Sequence, residues 1–228
     1  MNPRAQEITA TLASVEERIR KAAATASRKR SELTLIAVTK TYPVSDVQIL
    51  TQLGVSNFGE NRSDEGLEKS QLISATWHFQ GQVQGRKLKD IVSWASYIHS
   101  IDSDEHITKL SRICSEKDRE ISIFLQFSLD GAPDRGGVGA DQLGQLADQV
   151  AADPNLHLAG LMCVPPVEYG FDRAFGEIAK VHSAFKMGFP DAVGLSAGMS
   201  SDFEVAIAYG ATHLRVGSEI LGSRAYHP

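Results

Sequence analysis

Short runs of apolar residues alternate along the chain with segments in which apolar residues recur every three or four positions. The short runs predict buried β-strands, and the periodic segments predict amphipathic helices. Regular alternation of the two is typical of a parallel sheet whose strands are joined by helices. We predict strands at Leu33–Thr39, Ser56–Gly59, Trp77–Gln80, Tyr97–Ile101, Ser122–Ser128, His157–Met162, Ala192–Ser196 and His213–Val216.

Helical segments lie between these strands, and one more precedes the first strand, from Arg4 to about Arg28. The basic end of that first helix, Arg28-Lys29-Arg30, is expected to face the helix's negative pole. Strand and helix units in this number predict a (β/α)8 TIM-type barrel with an added N-terminal helix, in one domain of residues 1–228. A doubly wound sheet is the alternative. Later helices include Val44–Leu53, Asp104–Asp118, Gln142–Ala152, Phe171–Lys186 and Asp202–Tyr209.

Composition narrows the class of protein. The chain has 228 residues, 42% of them hydrophobic and 22% charged, with a formal net charge of −5. That balance is typical of a globular protein and lacks the basic excess of a general nucleic-acid binder. We expect a cytoplasmic protein, because no apolar run is long enough to span a membrane and the N-terminus lacks a signal-peptide core. Cys114 and Cys163, without CxxC spacing, are expected to be reduced thiols.

The first predicted strand ends on a lysine, Lys40. An amine at the edge of an apolar interior is expected to have a lowered pKa, because burial disfavours its charged form. A neutral amine can attack an aldehyde and form a Schiff base, which is how proteins hold pyridoxal 5'-phosphate (PLP). Alternatively, Lys40 reaches into solvent or pairs with a carboxylate.

Two turns rich in glycine and serine follow the seventh and eighth strands. The first contains Ser200 and Ser201 just before a helix, and the second contains Gly217 and Ser218. Backbone N–H groups and hydroxyls bind phosphate, and barrels often place phosphate at these two turns. Together with Lys40, the turns predict a phosphorylated aldehyde as ligand.

A purely structural role is the alternative for the first turn. Ser200, Ser201 or Asp202 could cap the helix, with Glu204 completing a capping box from Ser201.

Arg215, on the eighth strand, lies between the two turns. An arginine facing a pyridine nitrogen cannot accept a proton, so it leaves that nitrogen unprotonated and the cofactor a weaker electron sink. A salt bridge to Glu60, Asp202 or Glu219 is the alternative.

These motifs, in this order, resemble the pyridoxal phosphate homeostasis protein family along nearly the whole chain. This chain departs from the family's pattern at Gln80 and at Gly85-Arg86, and these departures are expected to change the rim of the pocket. The motifs are Leu35-Ile36-Ala37-Val38-Thr39-Lys40, Phe58-Gly59-Glu60-Asn61-Arg62, Trp77-His78-Phe79-Gln80-Gly81, Leu195-Ser196-Ala197-Gly198-Met199-Ser200-Ser201-Asp202 and Leu214-Arg215-Val216-Gly217-Ser218.

The resemblance implies a barrel similar to the N-terminal domain of alanine racemase, with PLP held as a Schiff base on Lys40. It implies phosphate contacts from the two turns, a ring-nitrogen contact from Arg215, and Asn61 and His78 as residues that line the pocket. The implied cofactor-binding set is Lys40, Asn61, His78, Ser200, Ser201, Arg215, Gly217 and Ser218.

A racemase needs two placed acid–base groups, and in alanine racemase the opposing tyrosine comes from a second domain. The chain ends soon after the eighth strand, so we expect that domain to be absent, and we do not expect Tyr42, Tyr169 or Tyr226 to replace it. The sequence therefore predicts a protein of intracellular PLP homeostasis without robust turnover. It is expected to be a monomer, to bind no metal, and to have PLP-dependent apoenzymes as candidate recipients.

Two enzymes remain as alternatives. One is a PLP-dependent amino-acid racemase, and the other is a sugar-phosphate barrel enzyme that forms its Schiff base without PLP.

Overall fold

The computed structural model describes residues 2–131 and 136–222. Within these ranges eight parallel strands pair in chain order and close into a barrel, with β1 paired to both β2 and β8. This closure confirms the TIM-type barrel and excludes the doubly wound sheet, whose edge strands stay open. Of the predicted domain, residues 1, 132–135 and 223–228 lie outside the described residues.

The observed strands agree with the predicted ones to within about two residues at each end. They are β1 Thr34–Val38, β2 Asn57–Glu60, β3 Thr76–Phe79, β4 Tyr97–Ile101, β5 Ile121–Gln126, β6 Leu156–Met162, β7 Gly194–Ser196 and β8 His213–Val216. The α-helices of the described residues are α1 Pro3–Thr25, α2 Val44–Gln52, α3 Ser63–Leu72, α4 Leu88–Trp94, α5 Asp104–Lys117, α6 Leu143–Ala151, α7 Phe171–Gly188, α8 Phe203–Ala208 and α9 Ser218–Leu221.

No described helix combines the length and the apolar composition that crossing a membrane requires.

The helix α3 does not show in the hydrophobic pattern because its buried residues are small or polar. They are Ser63, Gly66 and Lys69. Gly66 packs against an indole, since a Cβ at this position would lie 2.3 Å from the ring of Trp94. The burial of Lys69 is compensated by an ion pair with Glu60.

The added N-terminal helix α1 braces the two short helices that follow the glycine–serine turns. Thr11 Oγ1 donates to the carbonyl of Ile220 in α9 at 2.6 Å. Arg18 pairs with Glu204 of α8 at 2.6 Å and with Glu219 of α9 at 2.8 Å. Thus α1 fixes α8 and α9 relative to each other. Its buried residues recur at helical spacing: Ile8, Leu12, Val15, Ile19 and Ala23.

The last turn of α1 contains no basic residue, so the expected placement of Arg28-Lys29-Arg30 was wrong. The backbone N–H of Arg28 does cap the helix, donating to the carbonyl of Ala23 at 2.8 Å. The helix ends at Thr25, and the chain turns away at Ser27, whose φ is 56°. The guanidinium of Arg28 donates to the carbonyls of Ile207 and Ala211, at 3.0 and 2.6 Å, and so binds the carboxyl end of α8.

Aromatic rings fill the barrel interior below the rim. His78 stacks on Tyr97 with ring centroids 4.6 Å apart, and His99 stacks on Phe124 at 4.5 Å. His213 meets Phe124 edge-on at 4.9 Å. Branched aliphatic side chains usually fill these layers. Here histidines share the space, so their ring nitrogens require partners inside the core.

Strands β6 and β7 approach each other closely at two glycines. Gly160 has a φ of +148°, and a Cβ there would lie 1.9 Å from the carbonyl oxygen of Gly194. This contact sets the position of β7, a three-residue strand that ends on Ser196.

We therefore expect Gly160→Ala to lower the free energy of unfolding, by about 1–3 kcal/mol from backbone strain alone. The matched control is Gly144→Ala in α6, where a Cβ meets nothing within 4 Å. That change should raise the free energy of unfolding by about 0.5–1 kcal/mol, because alanine favours helix. Urea titration of both variants measures the difference, and equal midpoints would contradict the described packing.

Candidate functional site

A cavity of about 490 Å³ opens at the carboxyl ends of the barrel strands. Its size suits a small organic ligand. The cavity brings together seven of the eight residues expected from the sequence: Lys40, Asn61, Ser200, Ser201, Arg215, Gly217 and Ser218. Part of its wall is apolar, from Met162, Val164 and Met199.

Lys40 is half-buried in the turn that follows β1. The backbone on both sides of it is held. The carbonyl of Thr39 accepts a hydrogen bond from Lys69 Nζ at 2.8 Å, and the N–H of Thr41 donates to Glu65 at 2.7 Å. Thr41 has a φ of 69°, which is unusual for a residue other than glycine. The contacts to Lys69 and Glu65 keep this turn in place.

Beneath the turn lies a buried charge cluster. Lys69 Nζ pairs with Glu60 Oε1 at 2.6 Å and with Glu65 Oε2 at 3.3 Å, and the side chains of Lys69 and Glu60 are 5% and 0% exposed. Thr39 Oγ1 donates to the same Glu60 oxygen at 2.6 Å. Burial raises the pKa of Glu60, while the charge of Lys69 opposes that rise.

The sequence reasoning missed Lys69 and Glu65. Their spacing of four residues on one helix was an available signal, because it places a carboxylate and an ammonium side by side.

The two glycine–serine turns meet at the cavity. Ser200 Oγ accepts a hydrogen bond from the N–H of Gly217 at 3.4 Å, which joins them directly. A Cβ on Gly217 would lie 3.1 Å from the carbonyl oxygen of Val38, so glycine keeps the second turn close to β1.

The structure does not form the capping box considered for Ser201 and Glu204. The helix α8 begins at Phe203 with Asp202 as its N-cap residue, and Asp202 Oδ1 accepts from the N–H of Met199 at 2.5 Å. Glu204 pairs with Arg18 instead. Ser201 lines the cavity.

Arg215 is buried, and its guanidinium is held by oxygen acceptors. Nη1 donates to the carbonyl and to the hydroxyl of Ser196, both at 2.7 Å, and Nη2 donates to the carbonyl of Cys163 at 3.3 Å. Burial lowers the pKa of Arg215 to about 10, so the group stays charged at neutral pH. These three bonds use three of the five N–H donors of an arginine.

The salt bridges considered for Arg215 are not formed. Glu60 pairs with Lys69, Glu219 pairs with Arg18, and Asp202 accepts from a backbone N–H.

His78 lies below the cavity rather than in its wall. It is fully buried, and its nitrogens bond to His99 at 2.9 Å and to Asn57 at 3.0 Å. Burial lowers its pKa to about 3. Side chains alternate along a strand, so the next inward position above His78 belongs to Gln80, which does line the cavity. We therefore leave His78 out of the proposed ligand contacts.

The tyrosines considered for acid–base chemistry have other contacts. The hydroxyl of Tyr42 donates to the carbonyl of Gly222 at 2.6 Å, and Tyr169 lies under the guanidinium of Arg173 at 4.7 Å. Tyr226 lies outside the described residues. Within residues 2–131 and 136–222, no group of three or more His, Cys, Asp and Glu side chains could hold a metal ion.

The charge cluster predicts how the free energy of unfolding responds to loss of Lys69. Lys69→Met should lower the free energy of unfolding by about 3–5 kcal/mol, because it leaves Glu60 buried without its counter-ion. Without Lys69 the pKa of Glu60 rises further above its unfolded value. The loss should therefore be smaller toward low pH, where protonation removes the buried charge of Glu60, and should grow as the pH rises.

Denaturant unfolding of this variant between pH 5 and 8 measures the effect. The double variant Glu60→Gln, Lys69→Met should recover much of the loss, and Lys89→Met, at an exposed position of α4, is the control. A loss independent of pH would contradict the role of Glu60.

Comparison with known proteins identifies the family of this chain. The family described as "Alanine racemase, N-terminal domain" matches residues 11–225. A pyridoxal phosphate homeostasis protein of Corynebacterium glutamicum is 40% identical over 206 residues, covering 87% of this chain and 93% of that protein. The structure of PipY from Synechococcus elongatus PCC7942, with PLP bound, gives a TM-score of 0.82 at 29% identity, covering 94% of this chain and 100% of PipY.

Alanine racemase from Clostridium difficile 630 shares the fold, with a TM-score of 0.73 at 14% identity, and covers 97% of this chain and 60% of its own. The chain thus belongs to the alanine racemase N-terminal domain family and, within it, to the pyridoxal phosphate homeostasis proteins.

Proposed function

We propose that this protein binds PLP as a Schiff base on Lys40 and acts in intracellular PLP homeostasis as a holder of the cofactor. The observation that carries the proposal is the convergence of a lysine, two donor-rich turns and a buried arginine on one cavity. The name of the Corynebacterium glutamicum relative and the PLP bound to PipY support the choice of ligand.

The donor groups of the cavity fit the chemical groups of PLP. The hydroxyls of Ser200, Ser201 and Ser218 lie on the adjoining turns, where they suit a phosphate. Lys40 follows β1, which pairs with β8, and lines the same cavity, where it suits the aldehyde. When bound, the cofactor supplies an aldehyde carbon that a lysine amine holds as a Schiff base, with loss of water.

Arg215 suits the ring nitrogen, because its two remaining N–H donors can meet an acceptor. A guanidinium cannot accept a hydrogen bond from a protonated ring nitrogen, so it favours the unprotonated form. An unprotonated ring nitrogen withdraws electrons weakly, which favours holding the cofactor over using it.

The proton-exchanging groups of the cavity also support a holder. Among the described residues of its lining, the titratable side chains are Lys40, Arg215 and Glu219. Arg215 stays charged at neutral pH, and Glu219 is held by Arg18. Racemisation requires a second acid–base group opposite the lysine. We therefore propose that the protein lacks robust turnover.

We also propose a cytoplasmic location, which suits a chain whose two cysteines, Cys114 and Cys163, are buried thiols. Delivery of PLP to PLP-dependent apoenzymes and the monomeric state stay predictions.

The Schiff base can be tested by reduction. The purified protein incubated with PLP should be yellow, lose that colour with borohydride, and carry one pyridoxyl group on the peptide that contains Lys40. Lys40→Ala should remove the label, whereas Lys89→Ala, at an exposed position, should keep it. Peptide mass spectrometry locates the label. A pyridoxyl group on another lysine at equal yield would refute the assignment.

The phosphate contacts can be tested by comparing PLP with pyridoxal, which lacks the phosphate. Ser201→Ala should weaken PLP binding by at least about tenfold, because a hydrogen bond to a charged group is worth roughly 1.5–3 kcal/mol. The same change should leave pyridoxal binding unaltered. Ser93→Ala, at an exposed position of α4, is the control. Equal losses for both ligands, measured by absorbance titration, would place the phosphate elsewhere.

A further inference from the structure

A continuous chain of hydrogen bonds crosses the barrel core and ends at Arg215. Asn57 Oδ1 lies 3.0 Å from His78 Nε2, and His78 Nδ1 lies 2.9 Å from His99 Nε2. His99 Nδ1 lies 2.8 Å from Ser196 Oγ, which lies 2.7 Å from Arg215 Nη1. We call these five residues the relay.

The relay joins the two ends of the barrel. Asn57 is the first residue of β2, at the amino end, while Ser196 is the last residue of β7, at the carboxyl end. His78, His99 and Ser196 are 0% exposed, so water does not compete for their bonds. A buried polar chain of this kind is favourable only when every member has its partner.

The relay has one direction of donation. The amide nitrogen of Asn57 lies 3.2 Å from Ser56 Oγ, which turns the amide oxygen toward His78. His78 must then donate from Nε2, so its Nδ1 accepts from His99 Nε2. His99 Nδ1 in turn accepts from the hydroxyl of Ser196. Each neutral imidazole has one donor and one acceptor nitrogen, and this arrangement uses all of them.

The other end of the relay agrees with this direction. Arg215 can only donate, so Ser196 Oγ accepts from Arg215 and must send its own hydrogen elsewhere. His99 Nδ1 is the acceptor within reach. The reversed direction would place two donors, Arg215 and His99, on Ser196 Oγ and would leave a lone pair of His78 facing the oxygen of Asn57.

Burial keeps the histidines neutral, as the relay requires. It lowers the pKa of His78 to about 3 and that of His99 well below its usual value. The neighbouring ring of His213 has a pKa lowered to about 4, also by burial. The positive charge of Arg215 adds to the lowering at His99 and His213.

We propose that His99, supported by His78 and Asn57, is a positioning residue for Arg215. His99 accepts a hydrogen bond from the Ser196 hydroxyl, which turns the lone pairs of Ser196 Oγ toward the guanidinium of Arg215. This fixes the orientation of the guanidinium in the cavity. The relay starts at a group that only donates and ends at an amide oxygen, which is not a base. It therefore supplies no proton to the cavity, and Arg215 presents only donors to a ligand.

This inference rests on the proposed function for the nature of the ligand, which is an acceptor atom such as a ring nitrogen. The relay itself belongs to the protein without ligand, so it can be tested separately.

The first test uses the ligand-free protein. Nitrogen-15 NMR should show His78 and His99 as neutral Nε2–H tautomers from pH 5 to 8. The guanidinium N–H signals of Arg215 should be resolved in the wild type and averaged by rotation in His99→Phe. An Nδ1–H tautomer on either ring, or a guanidinium unchanged by His99→Phe, would overturn the proposal.

The second test uses PLP binding in a double-mutant cycle. His99→Phe should weaken PLP binding about tenfold, because the hydrogen bond between the charged Arg215 and the ligand loses its fixed geometry. It should still leave a pyridoxyl label on Lys40 after borohydride reduction. In an Arg215→Met background the same change should have no further effect. A tenfold loss in both backgrounds would show that His99 does not act through Arg215.

Two further variants separate positioning from general loss of structure. His99→Asn keeps an acceptor oxygen facing Ser196 and should restore most of the affinity lost in His99→Phe. Tyr97→Phe changes a ring stacked on His78 without touching the relay, so it should bind PLP like the wild type. Failure of His99→Asn to exceed His99→Phe would count against the relay. A wild type that is never labelled at Lys40 refutes the proposed function instead, and the NMR test still decides the relay.

Discussion

Closure of the barrel by the pairing of β8 with β1 is the constraint on which the rest of the structure depends. Thr34 to Ala37 pair in register with His213 to Val216, so the two terminal strands of the sheet become neighbours. All strands run in the same direction, and their carboxyl ends therefore meet on one rim. This brings Lys40, from the beginning of the barrel, to the side of Arg215 and Gly217, from its end.

Two buried polar systems support that rim, and they differ in charge. The cluster of Lys69 and Glu60 neutralises itself beneath the turn of Lys40, where direct pairing offsets the cost of removing both charges from water. The other four residues of the relay, beneath Arg215, are neutral, and the positive charge of Arg215 is stabilised by carbonyl and hydroxyl oxygens. Because none of Glu60, Asp202 and Glu219 forms a salt bridge with it, the guanidinium keeps donors for an acceptor in the cavity.

The fold and most of the cavity could be predicted because both depend on local patterns. Buried strands are short apolar runs, and the residues just after them lie at the rim, which placed Lys40, Asn61 and Ser200 correctly. The helix α3 was harder to predict, because its buried residues form an ion pair and a close packing contact and do not make a hydrophobic stripe. His78 was assigned to the rim, although β3 continues one residue beyond it, to Phe79.

By itself, the sequence determined the order of strands and helices, the lysine after the first strand and the glycine–serine turns after the last two. These follow from burial and backbone chemistry within a few neighbouring residues. Only the tertiary structure decided which buried polar groups pair: Lys69 of α3 with Glu60 at the end of β2, and, inside the barrel, His99 with His78 and Ser196. His99 and Ser196 are 97 positions apart in the chain. Such partners are selected by the twist and closure of the sheet, which no local pattern contains.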